Sequence, residues 1–195
     1  MKVLLTSAGF SNKNIGDKFL NLLDKPVCET KVLFIPTAAV SKEAKFYVDK
    51  CKDELLESGI KKSNILIYDF EYKMTIDEAL SYDVIYFTGG ETSHLLTIIR
   101  RNKFDSIIDS MISKNKIYVG VSAGSIIMTP NISLDDAKNI KTEGLGYLQA
   151  YLLVHYNQPN ESWMNKFKTN FSLPFIAISD KQAIILNENG FKVIE

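Results

Sequence analysis

Cysteine and histidine are scarce in this chain, with two of each among 195 residues. Cys28 and Cys51 stand far apart and lack metal-ligand spacing. That fits a reducing cytoplasm better than a disulfide framework. Both cysteines read as packing residues, because Cys51 falls mid-helix in Lys50-Cys51-Lys52 and Cys28 in a turn after Pro26, neither at a strand end. The histidines are also too few for a typical zinc site, and the expected chemistry needs neither a metal nor an organic cofactor. Charge of one sign is not in excess either: 23 basic side chains face 23 acidic ones. No bulk field therefore recommends nucleic acid or an anionic membrane as partner. No apolar run approaches membrane-spanning length, and Met1-Lys2-Val3-Leu4-Leu5-Thr6 carries no signal-peptide cleavage pattern. A cytoplasmic protein acting on a small ligand is expected, with monomer and homodimer both open.

No repeat, low-complexity tract or long linker divides the chain, and residues 1–195 suit one domain with one sizeable core. Short runs rich in Val, Ile, Tyr and Phe alternate with stretches of helical period, the signature of crossover units and a parallel sheet. Strands are expected near residues 2–7, 31–37, 64–68, 83–88 and 116–121. A second group is expected at 151–156, 175–179, 183–186 and 192–194. The continuous apolar runs Val84-Ile85-Tyr86-Phe87 and Ile117-Tyr118-Val119 predict central strands covered on both faces. Ala44, Tyr47, Val48, Cys51 and Leu55 form one helical stripe, with Ser41 as N-cap and Gly59 as stop. Leu95, Leu96, Ile98 and Ile99 form another, and Ile107, Ile108, Met111 and Ile112 a third. Asn187-Glu188-Asn189-Gly190 reads as the turn of a closing hairpin. The expected architecture is a three-layer, doubly wound α/β fold with a mostly parallel sheet.

The chemistry follows the fifth strand. Gly120-Val121-Ser122-Ala123-Gly124 matches the G-x-S-x-G nucleophile elbow, and the residues after it open a helix-like run. Such a turn strains the serine backbone and demands small neighbours. It thrusts the hydroxyl of Ser122 out at the carboxyl edge of the sheet, where ligands of open α/β folds bind. Thr88-Gly89-Gly90-Glu91-Thr92 forms a second glycine-rich turn at a strand end. The amides of Gly90 and Ala123 could face a developing oxyanion together, while Glu91 and Thr92 would touch substrate. A serine nucleophile needs a base, and His155, ending the apolar run from Tyr151, is placed as a sheet-edge base should be. His94 lies within the first turns of a helix, whose positive dipole end disfavours imidazolium, and is expected as a substrate contact. The orienting acid is Asp180, after an apolar strand, or one of Asp135 and Asp136 in a polar loop.

These motifs resemble the peptidase E family, which includes the cyanophycinases, a serine-nucleophile branch of the class I glutamine-amidotransferase-like fold. The likeness is carried by Phe34-Ile35-Pro36-Thr37-Ala38, Gly89-Gly90-Glu91-Thr92, Gly120-Val121-Ser122-Ala123-Gly124 and Val154-His155-Tyr156. It implies hydrolysis of short peptides or related amides, with Ser122 as nucleophile, His155 as base, Asp180 as acid and the amides of Gly90 and Ala123 as oxyanion hole. Peptidase members of the family place a glutamate where Asp180 stands, so this acid is one methylene shorter. They also carry an arginine soon after the histidine, whereas residues 157–166 here contain none. An exclusive preference for aspartyl substrates is therefore not expected. The same elbow would serve an α/β-hydrolase esterase with the order Ser122, Asp135 or Asp136, His155. A glutaminase would require cysteine in place of Ser122. A non-enzymatic binding module on the same fold is the alternative outside enzymology.

Overall fold

The computed structural model describes residues 1–133, 143–157 and 173–195. Five strands form the parallel part of the main sheet: β1 (Lys2–Thr6), β2 (Val32–Ile35), β3 (Ile65–Ile67), β4 (Val84–Phe87) and β5 (Ile117–Val121). Two more, β8 (Ala183–Asn187) and β9 (Gly190–Ile194), close it antiparallel, giving the order β3-β2-β4-β5-β1-β8-β9. The helices between them are α1 (Lys13–Leu22), α2 (Lys42–Glu57), α3 (Ile76–Leu80), α4 (Thr92–Arg101), α5 (Asp105–Ser113) and the short α6 (Ala123–Ile126).

Strand alternation decides what lies on each side. On β1, Val3 and Leu5 enter one core cluster with Ile85, Phe87 and Tyr118, packed with Leu95 and Ile99 of α4 and Ile108 and Met111 of α5. Leu4 points the other way with Phe34, Tyr86 and Val119, against Ile15 and Phe19 of α1 and Cys51 and Leu55 of α2. Both faces of the sheet are thus covered, which explains why β2 and β4 are apolar without a break. The result is the expected three-layer, doubly wound arrangement.

Local chemistry fixes the helix starts. Ser41 Oγ accepts from the Ala44 amide at 3.1 Å and Asn12 Oδ1 from the Ile15 amide at 3.0 Å, each satisfying an amide with no partner inside its helix. Gly59 follows α2 with φ +99°, as a helix stop should. The α2 stripe differs from expectation at Tyr47, which is 60% exposed. Its position lies on the flank of the helix beside the site described below, not on the face turned to the sheet.

The second strand group is divided. β8 and β9 form the expected hairpin, with Asn187 opposite Gly190, and attach to β1. The other two, β6 (Tyr151–Leu153) and β7 (Phe175–Ala177), pair in parallel as a separate two-stranded sheet. Among the described residues, no helix is long and apolar enough to cross a membrane.

Candidate active site

The carboxyl ends of β4, β5 and β1, neighbours in the sheet, deliver the Gly89-Gly90 turn, Ser122 and Ser7 to one edge. Ser122 sits between β5 and α6 with φ 47° and ψ −106°, a backbone conformation that a side chain other than glycine adopts only under strain. Hydrogen bonds hold it there: its amide donates to the Thr6 carbonyl at 3.0 Å, and the buried Ser125 hydroxyl lies 2.8 Å from both the Thr6 and Gly120 carbonyls. Tyr118 pins the same turn by donating to the Gly124 carbonyl at 2.7 Å. A Cβ on Gly124 would stand 2.6 Å from the Phe87 carbonyl oxygen, so only glycine lets α6 pack this close to β4. The serine side chain makes no cap on α6. Its hydroxyl is directed elsewhere.

Ser122 Oγ lies 2.9 Å from His155 Nε2, and His155 Nδ1 lies 2.7 Å from Asp180 Oδ1. His155 follows β6 and Asp180 follows β7, so the small parallel sheet sets the two side by side. The Tyr156 amide donates to the Ile178 carbonyl at 3.1 Å and the Ile178 amide to the Leu153 carbonyl at 2.9 Å, extending this pairing toward the site. His155 itself has φ 58°. The two side chains are about half exposed, at 52% and 58%. Burial pushes the Asp180 carboxyl up, but hydrogen bonds from Ser7 and His155, with the charges of His155 and Lys50, outweigh it and hold the pKa below the ordinary aspartate value.

The second glycine turn packs tightly against its neighbours. Gly90 has φ +140°, and a Cβ there would fall 2.0 Å from the Ala38 carbonyl oxygen. The adjacent Glu91 amide donates to that same carbonyl at 2.7 Å. A Cβ on Gly89 would be 3.1 Å from Ser122 Cβ, which places this turn directly beside the serine. Ala123 opens α6, so its amide has no partner inside the helix.

A cavity of about 470 Å³ is lined by these groups, including Gly89, Gly90, Ser122, His155 and Asp180, and by the α2 residues Ala44, Tyr47, Lys50 and Cys51. Ala44, Tyr47 and Cys51 belong to the helical stripe read from the sequence, but period alone does not tell which part of a stripe faces a cavity and which the sheet. Glu91, Thr92 and His94 are not among the lining residues; the Glu91 carboxylate accepts from the Ser93 hydroxyl at 2.9 Å. Asp135 and Asp136 lie outside the described residues, as do Glu161, Trp163, Lys166 and Lys168. Cys51 faces the cavity, yet burial pushes its thiol up to about 11, which keeps it protonated at neutral pH. Among the described residues, no group of three or more histidine, cysteine, aspartate or glutamate side chains is placed to hold a metal ion.

The model of peptidase family S51 matches residues 3–194. An uncharacterized peptidase of Pasteurella multocida (strain Pm70) is 31% identical over 205 residues, covering 100% of this chain and 97% of that protein. The peptidase E of Nostoc sp. (strain PCC 7120) is 26% identical over 158 residues, covering 75% of this chain and 63% of its own. A crystal structure from Listeria monocytogenes EGD-e, provisionally described as a peptidase E, superposes with a TM-score of 0.79 at 26% identity, covering 100% and 98% of the two chains. A peptidase from an acI-B1 Actinobacterium shares the fold, with a TM-score of 0.67 at 18% identity.

Proposed function

Because the chain belongs to peptidase family S51, we propose that it is a serine peptidase that cleaves short peptides or related amides by acyl transfer through Ser122. The observation that carries this reading is the continuous relay from Ser122 Oγ to His155 Nε2 at 2.9 Å and from His155 Nδ1 to Asp180 Oδ1 at 2.7 Å. The Nδ1 proton is donated to the ionised Asp180 carboxylate. Nε2 is then bare, and it takes the proton of Ser122 as Oγ attacks the peptide carbonyl. The carbonyl oxygen gains negative charge in the tetrahedral intermediate. The amides of Gly90 and Ala123 are the donors best situated to stabilise it, one on each of the two turns that meet at Ser122. His155 returns the proton to the leaving amine, and water releases the acyl group by the same steps in reverse.

Asp180 stands two residues beyond the Ile178 amide that pairs with Leu153, and its carboxylate lies 2.7 Å from His155 Nδ1, which supports its reading as the acid. The other reading of the acid, with Asp135 or Asp136 and esterase chemistry, draws no support from the contact His155 makes with Asp180. Loss of either reacting group should disable the whole unit. Ser122→Ala and His155→Ala are each expected to lower turnover of a dipeptide by about a thousandfold or more, with the double variant little worse. Asp180→Asn should also be severe, because the amide cannot accept the Nδ1 proton bond as a carboxylate does. Near-normal turnover by His155→Ala together with loss of turnover by His94→Ala would transfer the base assignment to His94.

A further inference from the structure

The reacting groups come from two separate sheets. Ser122 ends a strand of the main sheet, while His155 and Asp180 follow strands of the two-stranded sheet. Something must hold the small sheet in register with the large one to within the tolerance of a proton transfer. Ser7 meets both. It follows β1, the strand beside β5, and the Ser122 amide donates to the carbonyl of Thr6, so its place is fixed to that of the serine. Its side chain is fully buried. Its Oγ accepts from the His155 backbone amide at 2.7 Å and donates to Asp180 Oδ1, also at 2.7 Å.

That pair of bonds has a chemical consequence. A hydroxyl carries one proton, and this one goes to Asp180. Ser7 Oγ also lies 3.4 Å from His155 Nδ1 but has no second proton to offer it, so the Nδ1 proton is the imidazole's own and is shared with Asp180. The tautomer that leaves Nε2 free to accept from Ser122 is thereby favoured. The same hydroxyl ties down His155 in a left-handed backbone conformation, which persists only where surrounding contacts fix it. Neighbouring bonds brace the loop: the Ser11 hydroxyl donates to the Asp180 carbonyl, Asn12 Nδ2 to the Lys181 carbonyl at 2.8 Å, and the Phe10 amide to Glu54 Oε2 at 2.7 Å.

We propose that Ser7 is a positioning residue of this site: one hydroxyl that aligns the Asp180 carboxylate and the His155 ring against Ser122 and so selects the imidazole tautomer. The proposal rests on the serine-peptidase reading above. Ser7 does not line up a substrate group in this role, so its loss acts on the chemical step. Ser7→Ala is expected to lower kcat for a dipeptide such as Ala-Leu by about a hundredfold, the usual scale for misplacing a reacting group by about an ångström, with KM changed less than about threefold. In an Asp180→Asn background the same substitution should change kcat by less than about threefold, because the group through which Ser7 acts has already been removed. A purely structural serine would instead give losses that multiply. Should Ser7→Ala fail to fold, Ser7→Cys keeps the side-chain shape with a slightly larger atom and donates only weakly, and the same pattern is expected of it. Wild-type kcat in the single variant, or full multiplication in the double variant, overturns the proposal. Ser122→Ala is assayed in parallel: if it stays active, the serine-peptidase reading itself fails, whereas an inactive Ser122→Ala beside a fully active Ser7→Ala removes only the role of Ser7.

Discussion

Asp180 and Cys51 face the same cavity, yet their surroundings shift them in opposite directions. Burial dominates at Cys51 and pushes its pKa to about 11, so at pH 7 only about one molecule in ten thousand carries the thiolate. Iodoacetamide at neutral pH should therefore modify the exposed Cys28 and leave activity intact, and mass mapping of the alkylated protein checks this. Cys51 labelled in step with lost activity would contradict it. At Asp180 burial is outweighed by the Ser7 and His155 hydrogen bonds, and the pKa falls below its ordinary value. A carboxylate depressed in the folded state stabilises the protein above its unfolded pKa, and that contribution disappears as pH falls through the folded value. The stability gap between wild type and Asp180→Asn is thus expected to shrink between roughly pH 5 and roughly pH 3, as read from urea unfolding at each pH. At this scale the sequence was informative where chemistry is scarce. His155 stood out because the chain has only two histidines, whereas Ser7 was one serine among many and read only as the end of a strand.

The turns carry the next level of the argument. Gly90 combines a positive φ with a carbonyl oxygen where a Cβ would go, so Gly90→Ala faces both backbone strain and a collision with Ala38. Main-chain atoms cannot move aside as a side-chain tip can. The variant should lose about 1–3 kcal/mol of stability, on the scale of one strained residue, and turnover should fall further than that loss explains, because the turn beside Ser122 shifts. Thermal unfolding and kcat measured on the same preparation check both halves. The strands show where element reading stops. All nine strands among the described residues lie near where the apolar runs predict them, but β6 and β7 stand apart while β8 joins β1. Alternation specifies which face of a strand is buried, not which edge it pairs with. Partner choice depends on which edge of the main sheet is free, and that is a property of the assembled sheet.

At the scale of the whole molecule, the cavity is the space left between the main sheet's carboxyl edge, the flank of α2 and the loop carrying Asp180. Among the described lining residues Lys50 is the lysine or arginine present, half exposed and 3.8 Å from Glu54. Arg100 and Arg101, the only arginines in the chain, end α4, and Arg100 donates to the Glu143 carbonyl. An ammonium on a flexible stem selects for charge but not for the planar geometry of a carboxylate, which a guanidinium reads through two parallel bonds. Specificity constants for Asp-Leu, Ala-Leu, Ser-Leu and Lys-Leu are therefore expected to differ by less than about a hundredfold, or about 2.7 kcal/mol. A larger preference for Asp-Leu would show that an aspartate-selecting pocket has been built without arginine.

The sequence by itself determined the class of fold and singled out Ser122 and His155 as the candidate nucleophile and base. Unbroken apolar strands alternating with capped helices require a sheet covered on both faces. Small residues around Ser122 are the only ones its turn tolerates, and so few histidines left few candidates for a base. These are local constraints, written in residues next to one another in the chain. Tertiary structure alone decided which acid meets His155, since Asp180 reaches it through the pairing of β6 with β7. It also decided that the flank of α2 forms a cavity wall and that Ser7, 148 residues from His155, bridges base and acid. Contacts at that separation depend on how the two sheets dock, and no periodicity or motif in a single strand encodes the docking.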